Sequence, residues 1–465
     1  MPKGLEHLFN PKSIAVVGVS DKPGKLSAII MESLLESGFP GMVYPVNPRH
    51  TTVGGQRCYQ SIEAIGADID LAILAVPASE VIPVLRNAGG TVKSAVVISG
   101  GFAESGAQGI ATEKELAALA RKSGLRIIGP NCMGIFDTIS KVDTFFIPGS
   151  RIRRPARGGL SIISQSGSFA ATALDELASE GIGVARVISY GNMCDVNESD
   201  CLDFLREDVH TSAVALYIES VDDGRRFVES ASRCSLKKPV LAVKVGRRDS
   251  GASAARSHTG ALAGRYEAYK AAFRKAGVIE LEGYEDFMCG CKAFGRGTSA
   301  KGNRVVIITD GGGVGVNLAD LCESAGLKVV PVPDNVRERL ASVFPPYFSI
   351  GNPMDLTGSA TDDMFADALD ASFSGDSFDI AIVAVLWGPP GLTDDLPEML
   401  AQKAMLFGSK PLIICSPGGD YARGRAGLFR RHGQTVFATP EGAARAASIL
   451  ARSAEMVKRR VKKDG

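Results

Sequence analysis

The sequence predicts an α/β fold of three consecutive units, each built around a mainly parallel sheet. Short apolar runs rich in β-branched residues recur along the chain, and longer amphipathic stretches separate them. This alternation is typical of strands joined by crossover helices. With 465 residues and 45% hydrophobic composition, the chain is also too long for one core, since single cores rarely exceed roughly 250 to 300 residues.

Two breaks in this pattern set the expected domain boundaries. The basic, proline-bearing segment 151–159 is typical of a linker, and residues 295–303 are again small and polar. We therefore expect domains at residues 1–145, 146–298 and 301–465.

Each expected domain has its own set of predicted strands. In the first, Rossmann-like domain they lie at residues 13–19, 42–46, 71–76, 95–99 and 125–128. In the second they lie at residues 160–163, 185–189, 213–218 and 239–245. In the third they lie at residues 304–309, 327–332, 380–386, 411–415 and 435–438, before a helix over residues 441–456 and a basic, frayed tail.

Charge and cysteine usage exclude several classes of function. The 52 Lys and Arg residues nearly balance the 51 Asp and Glu residues, so the chain has almost no net charge that would attract it to nucleic acid or to an anionic membrane. The nine cysteines lack the paired spacing of a zinc site or a disulfide framework, so we expect no metal site and a reducing compartment. Neither a secretory leader nor a run of about 20 apolar residues is recognisable. These features favour a cytoplasmic enzyme that acts on small molecules.

The loop after the first predicted strand is a candidate anion site. Gly18 ends the strand, and Ser20 and Lys25 precede the next helix, where free N–H groups and the helix dipole can hold a phosphate. The second strand leads into a turn made of Asn47, Pro48 and Arg49. Because this turn lacks an acidic residue and the first loop lacks GxGxxG spacing, NAD is disfavoured. The alternative is a glycine turn that only packs a helix on the sheet.

Further strand ends of the first domain carry glycine, proline or small residues. They are Val76, Pro77, Ala78, Ser99, Gly100, Gly101 and Asn131. In an open parallel sheet the carboxyl ends of the strands together form the ligand crevice. We therefore expect these residues to line one cleft with their backbone.

The second domain has a candidate phosphoryl site after its first strand. Ser166, Gly167 and Ser168 lie between an apolar strand and a helix, where hydroxyl and N–H groups can converge on an anion. An ordinary serine helix cap is the alternative. A serine-nucleophile elbow is excluded, because Ser164 stands where the G-x-S-x-G motif requires its first glycine.

His258 is the candidate nucleophile of the same domain. It follows the small residues 250–255, which predicts a movable loop rather than a core position. A neutral imidazole can attack phosphorus with one nitrogen while a carboxylate accepts a hydrogen bond from the other. Glu219, which follows a predicted strand, is the candidate for that carboxylate. A solvated loop histidine without a role is the alternative.

Several of these stretches resemble one family. Residues 257–264, Ser-His-Thr-Gly-Ala-Leu-Ala-Gly, are similar to the phosphohistidine loop of the α subunits of ADP-forming acetyl-CoA synthetases, relatives of succinyl-CoA synthetase. Residues 164–168 resemble the phosphate turn of these proteins. The resemblance extends to residues 129–132, 190–200 and 351–358, in the same order, and covers essentially the whole chain.

The resemblance implies a fold and a reaction. The fold is a Rossmann-like CoA-binding domain followed by two flavodoxin-like, succinyl-CoA-synthetase-like domains. The loops at the strand ends of the first domain bind CoA, Glu219 holds His258, and Ser166, Gly167 and Ser168 receive the phosphoryl group. In the reaction, acyl-CoA, phosphate and ADP give the free acid, CoA and ATP through an acyl phosphate and a phosphohistidine.

The resemblance also implies a partner. In the family an ATP-grasp module binds the nucleotide and Mg²⁺, either on a separate β subunit or fused to the chain. Because the sequence ends after the third α/β unit, we expect a separate ATP-grasp β subunit that carries ADP or ATP and Mg²⁺, in a heterotetramer.

Two departures from the family pattern stand out. Asp310 occupies a glycine-loop position where Asn is expected, and Met193 with Cys194 replaces a more usual basic and small pair. Two other classes of function stay open beside the synthetase. One is a non-catalytic CoA-binding regulatory protein, and the other is a CoA-dependent acyltransferase or CoA-transferase that works alone.

Overall fold

The computed structural model describes residues 4–22, 24–251, 253, 265–408 and 410–464. Its contacts divide the chain into two compact units. The first contains the chain up to Ser179 together with Gly183–Gly283, and the second contains Glu180–Ile182 and the chain from Tyr284 onward. Two large sheets lie in the first unit and one lies in the second, all of them mainly parallel, which confirms the predicted α/β fold.

The first sheet of the first unit is entirely parallel, with the strand order β2-β1-β5-β6-β7. The strands are β1 (Ser13–Val17), β2 (Met42–Val46), β3 (Thr52–Val53), β4 (Gln56–Arg57), β5 (Ile69–Leu74), β6 (Val92–Val97) and β7 (Arg126–Ile128). Strands β3 and β4 form a separate hairpin. The helices are α1 (Glu6–Phe9), α2 (Leu26–Glu36), α3 (Ala78–Asn87) and α4 (Ala107–Ser123), with short 3₁₀ turns at Glu63–Ile65 and Ala103–Ser105.

The strand that follows β1 in the sequence, β2, lies on one side of β1, and β5 with the later strands lies on the other side. The chain order therefore reverses between β1 and β5, and a crevice opens at the carboxyl ends of these two strands. Gly18 lies at this point with φ +87°. A Cβ atom there would lie 2.7 Å from the carbonyl oxygen of Ala75. The predicted glycine is therefore required both by its backbone conformation and by the close approach of the neighbouring strand end.

The second sheet has the order β13-β12-β11-β9-β10-β8, and β8 is its antiparallel edge. Its strands are β8 (Gly134–Asp137), β9 (Arg157–Ser164), β10 (Val184–Ser189), β11 (Ala213–Ile218), β12 (Val240–Lys244) and β13 (Ile279–Leu281). Its helices include α5 (Gly167–Ser179), α6 (Glu198–Glu207), α7 (Gly224–Ser235) and α8 (Tyr266–Ala276). Here the chain order reverses between β9 and β11, so a second crevice opens at the ends of those two strands.

Three features of this sheet differ from the sequence-based expectation. Strand β9 begins at Arg157, inside the segment that was predicted to be a linker. Strands β8 and β13 were not predicted, because runs of four and three residues are too short to show the periodic pattern of apolar residues that identifies a strand. Strand β8 also pairs with β10 although it precedes the segment predicted as a linker.

A buried cation joins elements of the first unit around the second sheet. Arg186 on β10 forms ion pairs with Asp137 on β8 and with Asp208, and only 2% of its side chain is exposed. Its guanidinium also lies 5.7 Å from the ring of Phe9 and 5.3 Å from the ring of Phe204. Because Phe9 belongs to α1, this cluster links the start of the chain to the second sheet.

The second unit has one parallel sheet of order β15-β14-β17-β18-β19, with β16 beside β14. The strands are β14 (Arg304–Thr309), β15 (Lys328–Val329), β16 (Met354–Asp355), β17 (Ile380–Ala384), β18 (Leu412–Cys415) and β19 (Thr435–Phe437). The helices are α9 (Tyr284–Phe294), α10 (Gly312–Ser324), α11 (Asp334–Ala341), α12 (Asp362–Phe373), α13 (Leu396–Leu406), α14 (Asp420–Arg431) and α15 (Pro440–Asp464), with a 3₁₀ turn at Thr357–Ser359.

Two expectations for this unit are corrected. The predicted strand 327–332 is reduced to β15, because its remaining residues run into the proline that caps α11. The basic tail was expected to fray, but α15 continues to Asp464. Among the described residues, no helix is both long enough and apolar enough to span a membrane.

Arg186→Met should destabilise the first unit, because Asp137 and Asp208 would then be buried without their cation. We expect a loss of about 3–5 kcal/mol in the free energy of unfolding, measured by calorimetry on the full chain. Arg233→Met is the control, since it removes a more exposed pair with Asp203 and should cost at most about 1 kcal/mol. Equal losses in the two variants would contradict this role of Arg186.

Candidate functional site

The crevice of the first sheet is framed by the loops after β1 and β2. The side-chain amide of Asn47 donates to the carbonyl of Val19 at 2.7 Å, which holds the two loops together. The N–H of Arg49 donates to Asn47 Oδ1 at 2.9 Å and fixes the turn after β2. Helix α2 begins after Lys25, and no side chain among the described residues caps its first turn. Its N–H groups are therefore available to an anion.

The other predicted strand ends of this sheet lie on the same edge. The hydroxyl of Ser99 donates to the carbonyl of Val76, and the N–H of Asn131 donates to the carbonyl of Ser99 at 2.9 Å. Pro77 caps α3 and Ala78 begins it. The structure thus connects the ends of β5, β6 and β7 through Val76, Ser99 and Asn131.

The remaining predicted residues of this crevice lie at its rim. Gly101 has φ +100°, and its N–H donates to Glu104 Oε1 at 2.6 Å. Ser20 is half-buried and its hydroxyl accepts the N–H of Lys22. The exposed rim residues are Lys25, Pro48, Arg49 and Gly100. The rim therefore combines two cations with a helix N-terminus, which suits a phosphorylated ligand.

The turn after β9 begins helix α5 at Gly167. The hydroxyl of Ser166 accepts the N–H of Phe169 at 3.3 Å, and it lies 3.2 Å from the hydroxyl of Ser168. Ser166 therefore acts as a helix cap, which is the structural alternative that the sequence left open. The same geometry places both hydroxyls at the N-terminus of a helix of 13 residues, where an anion is stabilised.

Gln165 connects this turn to the end of β11. Its side-chain oxygen accepts the N–H groups of Glu219 and Ser220, at 2.8 and 2.9 Å. Its side-chain nitrogen donates to the hydroxyl of Ser220 at 3.0 Å. The predicted phosphoryl turn and the predicted carboxylate are therefore held together at the crevice of the second sheet.

Glu219 follows β11, and only 6% of it is exposed. Lys244, which is also buried, lies near it, because Lys244 ends β12 opposite Ile218, the last residue of β11. Burial lowers the pKa of Lys244 to about 8, although the charge of Glu219 acts in the opposite direction. His258 lies outside the described residues, so the pairing of His258 with Glu219 stays a prediction.

Glu198 is a second buried carboxyl in this part of the sheet. It is the first residue of α6, and 1% of it is exposed. Burial raises its pKa to about 7, and the charges of Asp222 and Asp200 also raise it. The hydroxyl of Ser199 donates to Glu198 Oε1 at 3.2 Å.

Three residues of the site were missed in the sequence, namely Gln165, Lys244 and Glu198. For Gln165 a signal was present, because it directly precedes the predicted phosphoryl turn at Ser166. Lys244 and Glu198 gave no such signal, because neither lies at a strand end that carries predicted site residues, and their burial is known only from the folded chain.

Family models match three stretches of the chain. A model described as a CoA binding domain matches residues 12–138, and one described as a succinyl-CoA ligase like flavodoxin domain matches residues 157–294. A Ligase-CoA domain model matches residues 305–391.

Whole-chain relatives are also found. The chain is 37% identical to acetate–CoA ligase (ADP-forming) I subunit alpha of Pyrococcus furiosus, over 96% of this chain and 97% of the relative. It is 36% identical to subunit alpha of the second such ligase of that organism, over 97% and 98% of the two chains. A solved structure of the dinucleotide forming acetyl-coenzyme A synthetase 1 of Candidatus Korarchaeum cryptofilum, in complex with phosphate and ADP, has a TM-score of 0.92 and 32% identity. That match covers 98% of this chain and 99% of the other.

Gln165→Met should lower stability, because two buried N–H groups would lose their acceptor while the side-chain volume is kept. We expect a loss on the order of 2–4 kcal/mol in the free energy of unfolding, measured by urea titration. Gln402→Met removes an exposed amide and should change stability by no more than about 0.5 kcal/mol. If Gln165→Met matched this control, Gln165 would not hold the two strand ends together.

Glu198→Gln should change how stability depends on pH. A carboxyl whose folded pKa is raised from 4.5 to about 7 favours folding only while protonated, so stability falls as pH rises through this window. The amide of the variant has the shape of the protonated carboxyl and does not ionise. At pH 8 we therefore expect the variant to be more stable than the wild type by about 3 kcal/mol. At pH 4 the two proteins should be equally stable. Urea titrations at both pH values measure the free energy of unfolding. An equal change of this free energy between pH 4 and pH 8 in both proteins would contradict the raised pKa of Glu198.

Proposed function

We propose that this chain, which belongs to the family of ADP-forming acetate–CoA ligase α subunits, is the α subunit of an ADP-forming acyl-CoA synthetase. Such enzymes are acid–thiol ligases. The observation that carries the proposal is the link through Gln165, which holds the serine turn of α5 and the carboxylate of Glu219 at one crevice. An anion site and a buried carboxylate side by side are what phosphoryl transfer to a histidine requires.

CoA fits the crevice of the first sheet. Gly18 leaves no space for a side chain, so the backbone of the loop after β1 can approach a ligand closely. The N-terminus of α2, Lys25 and Arg49 supply positive charge for the phosphates. The further contacts that we propose are Ser20, Asn47, Pro48, Val76, Pro77, Ala78, Ser99, Gly100, Gly101 and Asn131. CoA supplies the thiol that carries the acyl group.

The first step that we propose forms an acyl phosphate. An oxygen of inorganic phosphate attacks the acyl carbon of the thioester, an oxygen–carbon bond forms and the carbon–sulfur bond breaks. The sulfur leaves with the bond electrons and takes up the proton released by phosphate. Ser166, Gly167 and Ser168 hold the phosphoryl group at the start of α5, where the helix dipole stabilises its charge.

The second step transfers the phosphoryl group to His258. One ring nitrogen bonds to phosphorus, the phosphorus–oxygen bond to the acyl group breaks, and the carboxylic acid leaves as its carboxylate. Glu219 accepts a hydrogen bond from the other ring nitrogen, which fixes the tautomer and stabilises the charge on the ring. This division lets the acyl chemistry and the nucleotide chemistry occur in separate preorganised sites.

The third step takes place on a partner. The names of the two Pyrococcus relatives include the words subunit alpha, which supports a second subunit for this chain as well. We place the ATP-grasp module, Mg²⁺ and ADP on that β subunit, in a heterotetramer. Its ADP receives the phosphoryl group from His258, and ATP is formed.

The buried thiols argue against an acyltransferase that uses a cysteine. Cys132 precedes the second sheet, and burial raises its pKa to about 12. Burial also raises the pKa of Cys194, the one half-buried cysteine of the chain, well above its usual value. Thiols that stay protonated at neutral pH are poor nucleophiles.

His258→Ala should abolish the phosphoenzyme, because the nitrogen that bonds to phosphorus is removed. Glu219→Gln should slow its formation by about 10²-fold or more, because the amide lacks the charge that stabilises the phosphorylated ring. Residues that act as a unit are not additive, so the double variant should be no worse than His258→Ala. CoA affinity, measured by calorimetry, should be unchanged in all three.

The measurement uses the purified chain with and without its partner, labelled ATP and Mg²⁺, and counts acid-labile, base-stable phosphate. Glu207→Gln is the matched control, since it changes a half-exposed carboxylate of the same domain and should behave as the wild type. A phosphoenzyme in His258→Ala would overturn the proposal. Acyl exchange without nucleotide and without a partner would instead favour the acyltransferase.

A further inference from the structure

We propose that Met193 forms a wall of the acyl subsite of this subunit, and that it selects acyl groups that are uncharged and apolar. Acyl groups with a distal carboxylate, such as succinyl, are then disfavoured. Met193 is a specificity-determining residue, which contacts the acyl chain and takes no part in proton or phosphoryl transfer. This role rests on the proposed function, because it concerns the acyl group that CoA delivers to the serine turn at the start of α5.

The acyl group must lie between the two sites that react through it. Its sulfur belongs to CoA, which occupies the crevice of the first sheet in the proposed function. The attacking phosphate lies at residues 166–168, where α5 begins. For the attack, a phosphate oxygen has to lie about 3–3.5 Å from the acyl carbon. The acyl subsite is therefore located where the rim of the first crevice meets the serine turn.

The chain after β7 connects that rim to the serine turn. The N–H of Asn131 donates to the carbonyl of Ser99 on the rim at 2.9 Å. Two residues later, Met133 lies close to Gly167, because a Cβ atom on Gly167 would be 2.7 Å from Met133 Cγ. The rim of the first crevice and the start of α5 are therefore direct neighbours.

Asn192 and Met193 make a second connection between the same two places. The side-chain oxygen of Asn192 accepts the side-chain N–H of Asn131 at 3.3 Å, on the side of the first crevice. The Sδ atom of Met193 lies 3.8 Å from Nε2 of Gln165, which directly precedes Ser166. Adjacent residues thus contact the rim and the serine turn, and the thioether of Met193 lies on the side of the turn.

The backbone holds Met193 in this position. Its φ of +54° lies in the left-handed region, which side chains of this size seldom adopt, and its N–H donates to the carbonyl of Tyr190 at 3.2 Å. The residue packs at the edge of buried apolar residues and is itself only half-buried. A flexible, polarisable thioether with exposed surface is suited to line a subsite for an apolar chain.

The charges beside Met193 disfavour an anionic acyl group. The side-chain nitrogen of Asn192 donates to Glu104 Oε2 at 2.6 Å and to Glu113 Oε2 at 2.8 Å. Burial acts to raise the pKa of Glu104, but hydrogen bonds from Asn192 and from the N–H of Gly101 lower it overall, so Glu104 is ionised at neutral pH. The sequence led us to expect a basic residue at position 193, and Met193 supplies no charge to offset these carboxylates. A distal carboxylate on the acyl group is therefore repelled.

The test measures how fast the full chain takes up base-stable label from ³²P-labelled inorganic phosphate with acetyl-, butyryl- or succinyl-CoA as the acyl donor. For the wild type we expect the apparent second-order rate constant to be at least about tenfold higher with butyryl-CoA than with succinyl-CoA. Met193→Lys adds a cation and should raise the succinyl-to-butyryl ratio by about tenfold or more. Met42→Lys is the control, since Met42 is an exposed methionine of the same unit, and it should keep the wild-type ratio.

Met193→Ala tests the wall by size instead of charge, and it supplies a second variant should Met193→Lys fold poorly. Removal of the thioether opens the subsite, so the butyryl-to-acetyl ratio of rate constants should rise by about threefold or more. The affinity for free CoA, measured by calorimetry, should be unchanged. A purely structural role of Met193 would lower the rates with both donors together and leave their ratio as it is in the wild type.

A second measurement does not depend on turnover. Calorimetry gives the affinity of each acyl-CoA relative to free CoA, and Met193→Lys should favour succinyl-CoA over butyryl-CoA by about tenfold compared with the wild type. The inference is wrong if Met193→Lys leaves both the rate ratio and the affinity ratio unchanged, or if the wild type uses succinyl-CoA as well as butyryl-CoA. If the wild type takes up no label from any donor while the affinity ratio shifts as expected, the proposed function fails and the acyl subsite alone is retained.

Discussion

The side-chain amide of Gln165 connects the two strand ends on which the chemistry of this protein depends. It accepts the N–H groups of Glu219 and Ser220 and donates to the hydroxyl of Ser220. The turn that it belongs to opens α5, so one neutral side chain sets where the helix dipole and the carboxylate lie relative to each other. A charged residue could not do this without changing the field at the phosphoryl site, which explains why a buried amide occupies the position.

Each of the three sheets has one point where the chain order reverses, and each point carries polar residues. In the second unit this point lies between β14 and β17. Asp310 accepts the N–H of Leu386 there at 2.9 Å, next to the glycine-rich start of α10. Burial raises the pKa of Asp310 to about 6. The resemblance in the sequence led us to expect Asn at this position, and Asp310 instead places an ionisable carboxyl near a helix N-terminus, where an uncharged amide would not respond to pH.

Much of the fold could be predicted from the sequence because the strands of parallel sheets are short apolar runs whose ends are marked by glycine, proline or polar residues. Strands β2, β11 and β14 have the predicted limits. The failures have a physical cause. Strand β8 has four residues, and β13 has three, so neither shows a period, and the pairing of β8 with β10 joins positions about 50 residues apart. Information of that kind is absent from any local window.

The sequence by itself determined the fold class, the serine turn and the strand-end position of Glu219, because periodicity, turn chemistry and helix starts are local properties of the chain. The tertiary structure alone decided that Gln165 joins the turn to Glu219, and that Glu198 and Lys244 are buried. Whether a carboxyl keeps its proton depends on how completely other elements cover it and on which charges they bring. For Glu198 one of those charges is Asp222, which lies 24 residues further along the chain and acts on it only in the folded protein.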